Sequence, residues 1–231
     1  MMSLRPWLAT LVPILIAACG GAAPTVASSG EPGSARHARG EAAPDAAAIE
    51  AEVVAETNLA RTQPSLYATF LEARRPFYQD GYLRMPGRVT LRTQEGIAAL
   101  DEAIAFLRHA KPLPPVTASQ GLARAARDHV RDIGPRGVVS HDGRDGSSPF
   151  DRMSRYGRWE GKAGENISFG PDTAREVVLQ LLVDDGVPSR GHRHNLFDPG
   201  FAKVGVAFGE HAAYRKVCVT DFAGGYSEGA K

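Results

Sequence analysis

The sequence predicts an α+β domain. Helical apolar spacing dominates the earlier part of the folded stretch, while strand-like alternation is concentrated near the C-terminus. The two late alternating runs are joined by a short turn, so they read as an antiparallel hairpin and not as βαβ units.

Residues 46–62 carry Ile49, Val53, Glu56 and Ala60 at helical spacing. Pro64 suits the first turn of a short continuation through Leu71. Residues 76–92 contain Pro76, Gly81, Pro86 and Gly87 and read as an extended loop. A helix over 94–109 puts Ile97, Leu100, Ile104 and Leu107 on one stripe, and Pro112, Pro114 and Pro115 prevent its continuation. Thr117 to Gln120 has the form of a capping box. The helix after it carries Leu122, Ala125, Ala126, His129, Val130 and Ile133 and is expected to stop at Gly134. Ser148 and Pro149 open a short helix ending at Gly157. Thr173 to Glu176 is a second capping box, before a helix with Val177, Val178, Leu181 and Leu182. Ile167 to Phe169 reads as a short strand. Val204, Val206 and Phe208 alternate with small residues, Glu210-His211 marks a turn, and Val217 to Phe222 reads as the returning strand.

The N-terminus has a different chemistry. Arg5 precedes an apolar run from Trp7 to Ala18, long enough for a secretory signal and too short to span a bilayer. The run ends Ile16-Ala17-Ala18-Cys19-Gly20, which resembles a bacterial lipobox with Cys19 as the acylated residue after removal of residues 1–18. Each buried acyl methylene contributes about 0.8 kcal/mol, so a multiply acylated Cys19 is a stable membrane anchor. Gly20 in place of aspartate favours the outer membrane in a Gram-negative cell. The expected location is the cell envelope or the extracellular side. Residues 19–47, rich in Gly, Ala, Ser and Pro, read as a flexible tether. The expected domain is 48–226, with a tail at 227–231.

The only cysteines are Cys19 and Cys218, so no disulfide framework is expected and a hydrophobic core must hold the domain. Net charge is +1 with acids and bases mixed along the chain, which gives no basic face for nucleic acid.

Three segments occur in one order. They are Ser140-His141-Asp142-Gly143 with Pro149 to Met153 and Tyr156-Gly157, then Ala163-Gly164-Glu165-Asn166-Ile167, then Gly191-His192-Arg193-His194-Asn195-Leu196-Phe197-Asp198-Pro199 before Val204-Gly205-Val206. With Asn58 and Arg61 on the first helix, this pattern resembles the CAP superfamily, the group of cysteine-rich secretory proteins, antigen 5 and pathogenesis-related 1 proteins, in its cysteine-poor bacterial branch. The resemblance covers residues about 48–226. It implies a three-layer α-β-α sandwich around a largely antiparallel sheet, and a large open cleft with two histidines and two acids. The histidines are then His141 and His192, and one acid is Glu165. The second acid falls in Leu182-Val183-Asp184-Asp185-Gly186, where the family often has glutamate; Asp185 is the first choice and Asp184 the second.

Two imidazoles and two carboxylates facing one cleft suit a divalent cation such as Zn²⁺. The carboxylates can equally fix the imidazole tautomers. A His192/His194 clamp is the alternative if that segment is extended, because alternate residues then point the same way. Asn166 and Asn195 read as structural, Arg193 as a scaffold or rim charge, His129 as packed, and His109 and His211 as exposed. Cys218 reads as a buried small hydrophobe. Three functions stay open: a binding module for an envelope lipid, sterol, glycan or peptide; a metal-dependent hydrolase or protease with Glu165 as base; and an interaction lipoprotein with a vestigial cleft. A Ser189–His192–Asp185 hydrolase is the weaker enzymatic option, since no nucleophile elbow accompanies Ser189.

Overall fold

The computed structural model describes residues 45–229. The signal segment, Cys19 and almost all of the expected tether lie outside the described residues. Asp45, at the end of that tether, accepts a hydrogen bond from the Ala47 amide and caps α1 (Ala46–Thr62). Helix α2 (Pro64–Glu72) follows, with Pro64 in its first turn.

The expected loop over 76–92 is structured. After a 3₁₀ turn at Arg75–Phe77 come three two-residue strands, β1 (Tyr78–Gln79), β2 (Tyr82–Leu83) and β3 (Leu91–Arg92), in one small antiparallel sheet. Asp80 and Gly81 both adopt positive φ, 50° and 76°, so two residues suffice to reverse the chain between Gln79 and Tyr82.

Helix α3 (Ile97–His109) leads through the prolines to β4 (Thr117–Ala118). Thr117 therefore belongs to a strand, and the cap of α4 (Gln120–Arg136) is Ser119, whose Oγ accepts from the Leu122 amide at 3.3 Å. Helix α4 does not stop at Gly134; it runs on through Pro135 and ends at Gly137, with φ 64°. Gly134 serves close approach instead, since a Cβ there would stand 2.4 Å from the Glu210 carbonyl oxygen.

Helix α5 (Pro149–Ser154) has the full capping box from Ser148, reciprocated by Asp151. It ends earlier than expected because the next strand, β5 (Gly157–Phe169), is far longer than residues 167–169. Then come α6 (Ala174–Val183), α7 (Gly191–Leu196), β6 (Lys203–His211) and β7 (Arg215–Glu228). Thr173 caps α6, but Glu176 pairs with Arg74 instead of returning to the cap.

The main sheet has the order β4-β6-β7-β5, with β4 parallel to β6 and the other pairs antiparallel. Period-two alternation divides its side chains between two helical layers. Ile167, Ala207, Val217, Val219 and Ala223 face α4, meeting Leu122, Ala125, Ala126, Val130 and Ile133. Gly205 lets α4 lie against the strand, because a Cβ there would be 2.1 Å from the Ala123 amide nitrogen. Val204, Val206, Phe208, Cys218 and Phe222 face the opposite layer, a larger core built with α1, α2, α3 and α6. The domain is thus an α+β three-layer α-β-α sandwich. Cys218 is buried and free. Among the described residues no helix is long and apolar enough to cross a membrane.

Candidate functional site: two acid-pinned histidines beside an edge strand

Strand β5 lies at one edge of the sheet, and the histidine-bearing segments flank it. The loop after α4 carries His141. Its backbone is tied down on both sides: His129 Nε2 meets the Ser140 carbonyl at 2.8 Å, and Arg152 Nη2 donates to the His141 carbonyl at 3.0 Å. The His141 ring then presents Nδ1 to Glu165 Oε1 at 2.7 Å.

Glu165 is deeply enclosed, with 1% of its side chain exposed. Its other oxygen, Oε2, accepts from Arg152 Nη2 at 2.7 Å. Arg152 is itself 2% exposed and also donates to the Ser147 carbonyl at 2.9 Å. Burial raises the Glu165 carboxyl pKa, but the His141 hydrogen bond and the Arg152 charge outweigh it, so the group lies below the usual carboxylate range. Both its oxygens are committed to interior partners, His141 and Arg152.

His192 occupies the first turn of α7. Its Nδ1 meets Asp184 Oδ1 at 2.6 Å, and its amide donates to Asp184 Oδ2 at 3.0 Å. The Arg193 amide reaches the same oxygen at 3.4 Å. Asp184 thus fixes both the ring and the start of the helix. The acid beside His192 is therefore Asp184 and not Asp185, a correction with a local cause. Asp184 closes α6 in the left-handed region, with φ 55°, and the chain turns there. Asp185 consequently faces the start of α3, accepting from the amides of Gln94 at 2.7 Å, Glu95 at 2.7 Å and Gly96 at 3.2 Å. That removes the acid a Ser189–His192–Asp185 arrangement would need.

A short path joins the two pairs across β5. Asn166, next to Glu165, donates from Nδ2 to the His192 carbonyl at 3.0 Å, and Asn195 Nδ2 donates to Asn166 Oδ1 at 2.8 Å. Asn166 and Asn195 are the structural groups they were expected to be. His194 is exposed and lies on helix α7, so residues 192 and 194 do not point the same way and the extended-chain clamp is not formed. Arg193 is 2% exposed and donates from Nε to the Leu182 carbonyl at 2.6 Å, a scaffold role. His211, expected at the surface, is 2% exposed: its Nε2 meets the Val138 carbonyl, and its Nδ1 accepts from the Ala213 and Tyr214 amides. His129 is packed, as expected, and His109 is exposed.

In the neutral rings, a carboxylate at Nδ1 places the proton there and leaves Nε2 as an acceptor. His192 Nε2 is buried without a partner, and His141 Nε2 makes no hydrogen bond with the described residues. This donor set does not fit the expected cation. Both carboxylates are taken up by the imidazoles and Arg152, and two Nε2 atoms fall short of the three protein ligands of a catalytic zinc site. Among the described residues no group of three or more His, Cys, Asp or Glu is placed to hold a metal ion. A hollow of about 460 Å³ nearby is walled by Arg152, His129 and Asp132.

Arg152, Asp184 and Asp221 were not singled out as leading site residues from sequence. Arg152 carried a readable signal, standing inside the motif Pro149 to Met153 one helical turn after the Ser148 cap. Asp221 carried none, because its neighbour is set by strand register.

Comparison with known proteins identifies one family by its model. The family model described as "CAP: Cysteine-rich secretory protein family" matches residues 102–222, more than half of the chain. The chain is 30% identical over 125 residues to the uncharacterized protein YkwD of Bacillus subtilis strain 168, covering 52% of this chain and 47% of that protein. The chain thus spans about half the length of that curated relative. Among solved structures, an extracellular protein containing an SCP domain from Bacillus anthracis is 27% identical with a TM-score of 0.41, covering 55% of this chain and 39% of that one. An outer surface protein of Borrelia burgdorferi is 20% identical with a TM-score of 0.42, covering 55% of this chain and 89% of that one. With the motif order, the sandwich and the family match in hand, the chain belongs to the cysteine-rich secretory protein (CAP) family.

Proposed function

We propose that the protein is exported, anchored through acylated Cys19, and binds a hydroxyl-rich ligand of the cell envelope, a glycan or glycolipid headgroup, at the acid-pinned histidines. The observation that carries this reading is the pair of carboxylate-fixed rings, whose Nε2 atoms have no hydrogen-bond partner among the described residues, that of His192 being buried. A buried acceptor left unsatisfied costs about 1–3 kcal/mol, so a ligand hydroxyl that donates to it recovers that free energy. Fixing each ring by a carboxylate removes the rotamer and tautomer freedom that binding would otherwise have to suppress. The apolar run and lipobox-like Ile16 to Cys19 support export and anchoring.

The test follows the ¹⁵N resonances of both rings while peptidoglycan fragments, glycolipid vesicles, sterol and Zn²⁺ are added in turn. Saturable, coincident shifts with a hydroxyl-rich probe, abolished in His192→Ala, support the reading. Response to Zn²⁺ alone, lost in both His141→Ala and His192→Ala, replaces it with a metal site. No response to any probe leaves a vestigial cleft. Retention of Cys19→Ser in the membrane fraction would overturn the anchoring.

A hydrolytic reading rests on one observation, the 2.6 Å His192–Asp184 contact, which suits Nε2 to accept a proton from a water or hydroxyl. Turnover of any of these probes that disappears in Asp184→Ala would favour it over simple binding.

A further inference from the structure

Directly across the β5–β7 pairing from Glu165 stands Asp221. Register partners in an antiparallel pair point to the same face, so both carboxyls lie under α4 and α5. Asp221 is completely buried, and neither of its oxygens receives a hydrogen bond from an N–H or hydroxyl among the described residues. Its nearest ionisable counterpart by register is the Glu165 carboxyl.

Two charged carboxylates enclosed side by side repel each other, and a buried carboxylate with no donor at either oxygen is strongly disfavoured, so one of them carries a proton. The surrounding charges decide which. From α5, Arg152 is committed to Glu165 Oε2, and from the loop after α4, His141 Nδ1 is committed to Glu165 Oε1. From α4, His129 faces the cluster, and burial holds its pKa below the ordinary range, so it supplies no second cation. Tyr226, on the same strand, donates its hydroxyl to the Met153 carbonyl at 2.8 Å and so gives Asp221 no hydrogen bond. Glu165 has both of the cluster's stabilising donors and Asp221 has neither.

We propose that Asp221 is the protonated member of the pair: a positioning residue that donates its carboxyl proton to Glu165 and so holds Glu165 charged and aimed at His141. Burial, and then the Glu165 charge, push the Asp221 carboxyl well above its ordinary range, in the opposite direction to Glu165. The role rests on the proposed use of His141 only in its consequence, the orientation of that ring; the pair itself is measured without any ligand.

The sign of the pH dependence follows. A group whose folded pKa is raised favours the folded state most below its unfolded value, about 3.9 for aspartate, and loses that contribution as pH rises. Asp221→Asn keeps a donor aimed at Glu165 and removes the titration. Its melting temperature, relative to the unaltered chain, is expected to climb as pH increases from 4 to 8. Infrared spectra of the full chain carrying ¹³C-aspartate should show one protonated carboxyl band at neutral pH, absent in Asp221→Asn and lost from the neutral range in Glu165→Gln. Wild-type protein without that band at neutral pH overturns the proposal, whether or not the variants fold. So does an Asp221→Asn variant that becomes relatively less stable as pH rises.

Discussion

Arg152→Met is the most direct probe of the interior network. The side chain is 2% exposed and makes three hydrogen bonds, to the Ser147 and His141 carbonyls and to Glu165 Oε2. Methionine roughly fills the stem's volume, so the cavity contribution is small and the lost interaction is electrostatic. What remains is a carboxylate with 1% side-chain exposure, beside Asp221, with no guanidinium. Removing one partner of a buried ion pair costs about 3–5 kcal/mol, because the other charge stays enclosed. For a domain of this size each kcal/mol shifts the melting temperature by about 2–4 °C, which gives a fall of about 6–20 °C. Urea denaturation at pH 7 measures it, with Glu165→Gln and the double variant completing a cycle. The deficit should also shrink in acid. Glu165 has a depressed folded pKa, so its contribution is present above the unfolded value of about 4.3 and lost as pH falls through the folded one. A loss below about 1 kcal/mol at pH 7, or a deficit that grows in acid, would refute a buried ion pair at this position.

Asp184→Ala and Asp185→Ala should each lower stability by about 1–3 kcal/mol, the first by freeing the His192 and Arg193 amides at the start of α7 and the second by freeing the Gln94, Glu95 and Gly96 amides of the turn before α3. Only Asp184→Ala should alter the tautomer pattern of His192 in ¹⁵N spectra; an equal change in Asp185→Ala would reverse the assignment. Gly205→Ala puts a Cβ 2.1 Å from the Ala123 amide nitrogen and 2.2 Å from the Leu122 carbonyl carbon, and overpacking of this kind costs about 1–3 kcal/mol or more. Unchanged urea stability would contradict that approach of α4 to β6. Burial pushes the Cys218 thiol up to about 12, so iodoacetamide at pH 8 should leave it unmodified in the folded chain and react promptly after unfolding.

What the sequence could and could not disclose divides along physical lines. Helices α4 and α6 were readable because each carries a continuous apolar stripe, and the β6–β7 hairpin because its inward positions alternate with small residues. Strand β5 was read only over its last three residues. Its earlier inward positions are Ala163 and Glu165, and Asn166 and Ser168 on the other face bond to His192 and Gln180, so hydrophobic alternation is interrupted by buried polar groups. The Asp80-Gly81 turn was overlooked although that dipeptide is a strong hairpin signal. His141, His192 and Glu165 came from motif order, which fixes identity but not local conformation. A left-handed residue at 184 exchanged the roles of two adjacent aspartates, and a helical turn at 191–196 parted His192 from His194.

Asp221 belongs to another class of residue. From sequence it is one polar position in an apolar strand, separated from Glu165 by two helices and a strand. The pairing register alone brings the two carboxyls together, and register is a property of the closed sheet, fixed by which faces are buried. The residues that a ligand would meet were therefore within reach of motif reading. The residues that set their charge and direction, Arg152, Asp184 and Asp221, are buried behind them and required the fold. A variant series confined to His141 and His192 would miss the interior groups that hold the two rings in place.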